Sequence, residues 1–97
     1  NFKFNGYLPL DSRDRMIALK EMEVRSRKAS QIFMEAPYRN NQFLDFLIKN
    51  LQKDTKLCVA VDIEKEGKET IISKPVSEWQ PREIELHKKP TIFIIEG

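Results

Sequence analysis

Ninety-seven residues carry 17 Lys and Arg against 15 Asp and Glu, a formal net charge of +2 on a chain that is 33% charged, the balance of an ordinary soluble surface, so basicity alone does not point to nucleic acid. With 40% hydrophobic residues, 3 Gly and 5 Pro, the chain is too apolar to stay disordered and too interrupted by charge to cross a bilayer. Folding a chain of this length buries roughly 60–65% of its unfolded surface, enough for one core but not for an enclosed cavity around a large ligand, so any active site is expected to be shared.

The chain opens Asn1-Phe2-Lys3-Phe4, without an initiator Met or a charged-then-apolar leader, and closes Ile94-Ile95-Glu96-Gly97 straight off a strand. It reads as a piece of a longer cytoplasmic protein, with a single domain over residues 1–97. Residues 1–8 alternate Phe2 and Phe4 with Lys3 and Asn5, as a half-buried strand does. After Gly6 and Pro9, Asp11 or Ser12 can cap a helix from Arg13 to about Lys28, on which Met16, Ile17, Leu19 and Met22 fall loosely on one face. Its last turn, Arg25-Ser26-Arg27-Lys28, puts cations where the helix dipole favours them.

Gln31-Ile32-Phe33-Met34 is a short apolar strand that Glu35-Ala36-Pro37-Tyr38-Arg39 interrupts. From Asn40 to Gln52, Phe43, Leu44, Leu47, Ile48 and Leu51 repeat at helical spacing and form one stripe. Leu57 to Ile63 is mostly continuous apolar and β-branched, which predicts a strand covered on both faces. A polar turn, Glu64-Lys65-Glu66-Gly67-Lys68, leads to Thr70-Ile71-Ile72 and predicts a hairpin. Pro75 to Leu86 suits short helical pieces, and Thr91 to Ile95 is the final strand. This order predicts an α/β fold with a mixed sheet of about five strands packed with helices, because a hairpin must pair antiparallel.

No self-sufficient catalytic motif is present. With His87 the only histidine and Cys58 the only cysteine, neither a zinc site nor a Cys–His pair is indicated. Gly6, Gly67 and Gly97 lie too far apart for a phosphate-cradling loop. Cys58 is expected to be a buried thiol and His87, beside Lys88 and Lys89, a solvated side chain. Asp62, Glu64 and Glu66 read as an exposed strand face rather than a metal site. Arg13, Arg15, Arg25, Arg27, Lys28, Lys88 and Lys89 could join Phe2, Phe4 and Tyr7 in a nucleic-acid surface, or be a solvated helix face beside an edge strand. The switch from strand to helix at Phe33–Arg39 is the most informative stretch, because ligands in open α/β sheets gather at the carboxyl ends of strands and helix starts offer free amides. A plain turn with Pro37 fixing the corner is the other reading.

Phe4-Asn5-Gly6-Tyr7-Leu8-Pro9, Arg15 and Leu19 on the next helix, and Ile32-Phe33-Met34-Glu35-Ala36-Pro37-Tyr38-Arg39 together resemble the C-terminal half of the tetrapyrrole (corrin/porphyrin) methylase family. The similarity is greatest to the ribosomal RNA small subunit methyltransferase I branch and continues more weakly through Cys58-Val59-Ala60-Val61 and Ile92 to Gly97. The resemblance implies a two-domain transferase, usually a homodimer, that binds S-adenosyl-L-methionine in the cleft between its domains, with this chain as the C-terminal domain and its own N-terminal domain as partner. Carried over by position, Met34, Glu35, Ala36 and Pro37 match the cofactor-side edge, Ala60 and Pro90-Thr91 match positions lining the adenosine pocket, and Tyr7, Leu8 and Pro9 match the interdomain segment, with Arg39 on the substrate side. No catalytic side chain and no metal is implied. The acceptor implied is ribosomal RNA ribose or a tetrapyrrole. Met34, Val61-Asp62-Ile63-Glu64-Lys65 and Lys88-Lys89-Pro90 depart from the RNA branch, and Met34 and Pro90-Thr91 look more like the porphyrin type. A non-catalytic structural or dimerisation domain, or a nucleic-acid-binding domain, is the alternative expectation.

Overall fold

A computed structural model describes residues 1–62 and 66–97. Ile63, the end of the predicted third strand, and Glu64-Lys65 of the predicted turn lie outside the described residues. The elements are β1 (Phe2–Tyr7), α1 (Ser12–Arg25), β2 (Ser30–Met34), α2 (Asn40–Asn50), β3 (Lys56–Val61), β4 (Thr70–Pro75) and β5 (Thr91–Glu96). Single 3-10 turns occupy Pro37–Arg39 and Val76–Glu78. The strands form one mixed sheet in the order β1-β2-β5-β3-β4, parallel only between β1 and β2, which α1 connects. The expected α/β architecture and hairpin are therefore present.

Asp11 caps α1, its carboxylate accepting from the Asp14 amide at 3.1 Å. The helix stops at Arg25, before the expected Lys28, because the Ser26 hydroxyl donates to the Glu23 carbonyl at 2.6 Å and the backbone turns there. Its buried residues are Leu19, Met22 and Glu23, whereas Ile17 and Val24 are exposed. Ile17 thus leaves the expected apolar face. Glu23 is buried because it accepts from the Gln52 amide and the Thr55 hydroxyl, both at 2.7 Å. The stripe on α2 buries Phe43, Leu44 and Leu47, and Leu51 closes the helix, also buried.

Both helices pack on the same side of the sheet. One cluster joins Leu19 and Met22 of α1 and Phe43, Leu44 and Leu47 of α2 to Phe33, Leu57, Val59, Val61, Phe93 and Ile95 of the sheet. Phe43 stands edge-on to Phe33 and Phe93, with ring centres 5.7 and 5.1 Å away. Trp79 is buried beside them, its indole donating to the Leu57 carbonyl at 3.0 Å. Burial of each such side chain stabilises by about 1.5–3 kcal/mol.

Among the described residues, no helix lies on the opposite face of the sheet. Strand alternation puts Phe2, Phe4 and Tyr7 there beside Ile32 and Met34, then Ile92 and Ile94 of β5, Cys58 and Ala60 of β3, and Ile71 and Ser73 of β4. Two expectations are corrected. Phe2, Phe4 and Tyr7 are exposed rather than half-buried, because β1 is an edge strand and no element covers its outer face. The apolar run of β3 has helices over Leu57, Val59 and Val61 only, and Cys58 is half-buried on the open side.

Leu47→Ala should cost about 2–5 kcal/mol through the cavity it leaves. Ile17→Ser should stay within about 0.5 kcal/mol of the parent, as exposed substitutions do. Urea unfolding measures both, and a large loss at Ile17 would contradict the assignment of the buried face of α1.

Candidate functional site

Because β1 and β2 are parallel and β5 is antiparallel to both β2 and β3, the carboxyl ends of β1, β2 and β3 and the amino end of β5 meet at one end of the sheet. Tyr7 pairs with Met34 there, Val61 pairs with Thr91, and the Asp62 amide donates to the Pro90 carbonyl at 2.9 Å. The eleven residues singled out in the sequence all lie at or beside this end, though in different settings.

A bulge shapes the β1 side. Phe4 pairs with Ile32 but Gly6 with Phe33, so Asn5 is an extra residue, and Gly6 adopts φ +71°, which glycine accepts without strain. The shift turns Tyr7 to the open face and Leu8 into the core. Tyr7, Leu8, Leu10, Glu35, Ala36, Pro37 and Arg39 then line an open pocket of about 330 Å³. Pro9 is exposed beside it, and Met34, Ala60, Pro90 and Thr91 share the sheet end without lining this pocket. Met34 is half-buried on the open face, and Ala60 is buried between Ile71 and Ile92, its cross-strand neighbours. Thr91 faces inward, and Pro90 offers its carbonyl to Asp62.

Glu35 anchors the pocket wall. Its side chain is 5% exposed, and its two oxygens accept from Arg15 of α1, from Arg39 at 3.4 Å and from the Ala36 amide at 2.7 Å. The Arg15 guanidinium also lies 4.8 and 5.2 Å from the ring centres of Phe43 and Phe46. Each arginine keeps a buried Nε without a hydrogen-bond partner among the described residues. The strand-to-helix switch is less open to anions than its sequence suggests, since Glu35 caps the Ala36 amide, Pro37 has none, and the Arg39 amide donates to the Ala36 carbonyl.

The β5 side is held by Asn40, which is fully buried at the start of α2. Its amide donates to the Leu86 and Lys89 carbonyls and the Thr91 hydroxyl, at 3.3, 2.8 and 3.1 Å. Lys74 pairs with Glu83 at 2.7 Å, and Glu85 accepts from Asn41 at 2.6 Å and from the His87 amide at 2.8 Å. These bonds hold the Glu83 and Glu85 carboxyls below their ordinary range: the Lys74 ammonium acts most strongly on Glu83, and the Asn41 amide on Glu85.

Sequence reasoning did not single out Asn40, and it took Asp62 for part of an exposed strand face. Asp62 is half-buried with φ +58°, and its Oδ1 is buried without a hydrogen-bond partner among the described residues. The one hint was an acidic residue ending an apolar run. Glu66 and His87 are exposed, and Glu64 lies outside the described residues. Burial raises the Cys58 thiol above its ordinary value, with Glu96 adding to the effect. The basic and aromatic residues do not gather on one surface: α1 carries Arg13, Arg15 and Arg25 on the helical layer, while Phe2 and Phe4 lie on the open face.

Replacing Glu35 by Gln should weaken the fold by about 1–3 kcal/mol, since two guanidiniums lose a charged acceptor. Chemical denaturation reads the change, and an unaltered midpoint would mean that the pair is loose. Stability from the lowered carboxyls of Glu83 and Glu85 is present above the ordinary carboxylate range and is lost as pH falls through their lowered values. Amide exchange in residues 80–89 should therefore accelerate in acid before that of β2 and β5; simultaneous loss would show that these ties do not govern the loop.

No family model matches the chain, and no curated protein matches it in sequence. Among solved structures it is similar to the crystal structure of the methyltransferase CobJ, with a TM-score of 0.57 at 12% identity. The match covers 100% of this chain and 41% of that one, so the chain spans about two-fifths of the length of CobJ. The likeness is one of fold.

Proposed function

We propose that this domain is one wall of a methyltransferase cleft that binds S-adenosyl-L-methionine, the other wall being a further domain. The observation that carries the reading is the convergence, at one end of a CobJ-like sheet, of the segments that resemble the cofactor side of tetrapyrrole methylases. The residues present fit such a ligand. Ala36 and Ala60 are small enough to leave room for an adenosyl ring, and the Asp62 Oδ1, without a partner among the described residues, is an acceptor for a hydroxyl or ammonium group.

When bound, S-adenosyl-L-methionine supplies a methyl group made electrophilic by its sulfonium. Transfer needs alignment and exclusion of water rather than a reactive side chain, and a base only where the acceptor must lose a proton. The apolar wall of Leu8, Leu10, Ala36 and Pro37 excludes water, and the Glu35 ion pairs hold that wall in place. A tetrapyrrole suits this wall better than ribosomal RNA ribose. Arg39, the one cation lining the pocket among the described residues, is already paired with Glu35, whereas an RNA site needs several free cations for phosphates.

The chain alone, with half a cleft, should bind S-adenosylhomocysteine only near the millimolar range, about 4 kcal/mol. The amide resonances of Ala36, Ala60, Asp62 and Thr91 should move on titration. Micromolar binding by the chain alone, or shifts confined to the groove between α1 and α2, would refute this placement of the cofactor.

A further inference from the structure

We infer that Asn40 is a positioning residue: through the strap Leu86–Pro90 it fixes the edge formed by Asp62, Pro90 and Thr91, an inference that rests on the cofactor reading above.

The chemistry of position 40 is set by what surrounds it. Asn40 is fully buried where α2 begins, and its side-chain nitrogen donates to three oxygens, the Leu86 and Lys89 carbonyls and the Thr91 hydroxyl, at 3.3, 2.8 and 3.1 Å. The Thr91 hydroxyl gives its own proton to the Lys89 carbonyl at 3.0 Å, so toward Asn40 it can only accept. A neutral donor suits this place. Aspartate would set its carboxylate against three oxygens, and an alkyl side chain would leave them without their donor. The other end of the amide, Oδ1, is buried and has no hydrogen-bond partner among the described residues. Position 40 is therefore shaped around donation to the strap.

The same turn of chain holds the strap twice more. The Lys88 amide donates to the Pro37 carbonyl and the Leu86 amide to Asn41 Oδ1, both at 3.0 Å. Pro37 and Arg39 line the pocket, so the wall on that side and the strap move as one piece. From the strap the chain runs straight into the proposed cofactor edge, where the Pro90 carbonyl accepts from the Asp62 amide at 2.9 Å and Thr91 pairs with Val61.

A turn that had only to close the chain would place glycine or asparagine where Lys88 stands with φ +61°. The strap instead combines a left-handed lysine with an orphaned amide oxygen, and left-handed Asp62, with φ +58°, lies across the edge from it. Such local costs persist only where the surroundings over-determine the conformation, and they gather at ligand sites. Asn40 supplies the over-determination, because its one nitrogen ties both ends of the strap and the first residue of β5.

Two variants of the 97-residue chain test this, with S-adenosyl-L-methionine as the probe. Asn40→Ser shortens the donor away from the strap. Lys88→Val removes none of these hydrogen bonds but asks a β-branched residue to stay left-handed, and because Lys88 is exposed the core is untouched. In the ligand-free chain each should move the amide resonances of Asp62 and Thr91 and leave those of Leu19 and Ile72 in place. Each should weaken binding of the probe at least about threefold. Adding Lys88→Gly to Asn40→Ser should recover most of that loss, since glycine holds the turn without strain. Variants that lose stability in urea yet bind as the wild type does would reduce Asn40 to a structural tie and overturn the inference, as would a failure of Lys88→Gly to restore binding; in both cases the cofactor reading stands. A wild-type chain whose Asp62 and Thr91 resonances ignore the probe overturns both.

Discussion

The carboxylate of Glu35 sits where the sheet, both helices and the pocket meet. A carboxylate this deeply buried is stable only when its charge is matched and its lone pairs are used. Arg15 reaches it from α1, Arg39 from the turn into α2, and the Ala36 amide from the next residue. Arg15 in turn lies over Phe43 and Phe46, and Phe43 packs on Phe33 and Phe93. The ion pairs and the aromatic core are therefore one continuous unit. The carboxyl end of β2 is held at a fixed angle to both helices, and the pocket wall of Leu8, Ala36 and Pro37 is held with it.

That arrangement leaves the proposed site without a catalytic motif. The polar groups at this end of the sheet mostly serve one another: Glu35 its arginines, Asn40 the loop that leads to Thr91, and Pro90 the Asp62 amide. What remains open in the pocket is an apolar wall of Leu8, Leu10, Ala36 and Pro37. A reaction driven by an already activated methyl group asks for little more from the protein than orientation and dryness.

Much of the fold was legible locally. The stripe on α2 has its buried positions where the spacing puts them, because five apolar residues repeat with the helical period and nothing charged intrudes. On α1 the core-facing side includes half-buried Arg15, paired with Glu35, and buried Glu23, hydrogen-bonded to Gln52 and Thr55, so hydrophobicity alone pointed to Ile17. The candidate site was half legible. Phe33–Arg39 announced a strand ending in a turn, but nothing local shows that Arg15, twenty residues earlier, neutralises Glu35. Asn40 was missed for the same reason, its partners lying in the loop before β5.

The sequence by itself determined the order of elements and the mixed character of the sheet, because periodicity, turn residues and caps act over a few residues. Tertiary structure decided which apolar residues are covered. Phe2 and Phe33 look equally suited to a core, yet one is exposed and the other buried, because both helices crossed to the same side of the sheet. Only strand order could bring Tyr7, Met34, Asp62 and Thr91 to a single edge, since pairings across the sheet are set by long-range packing rather than by the residues beside them in the chain.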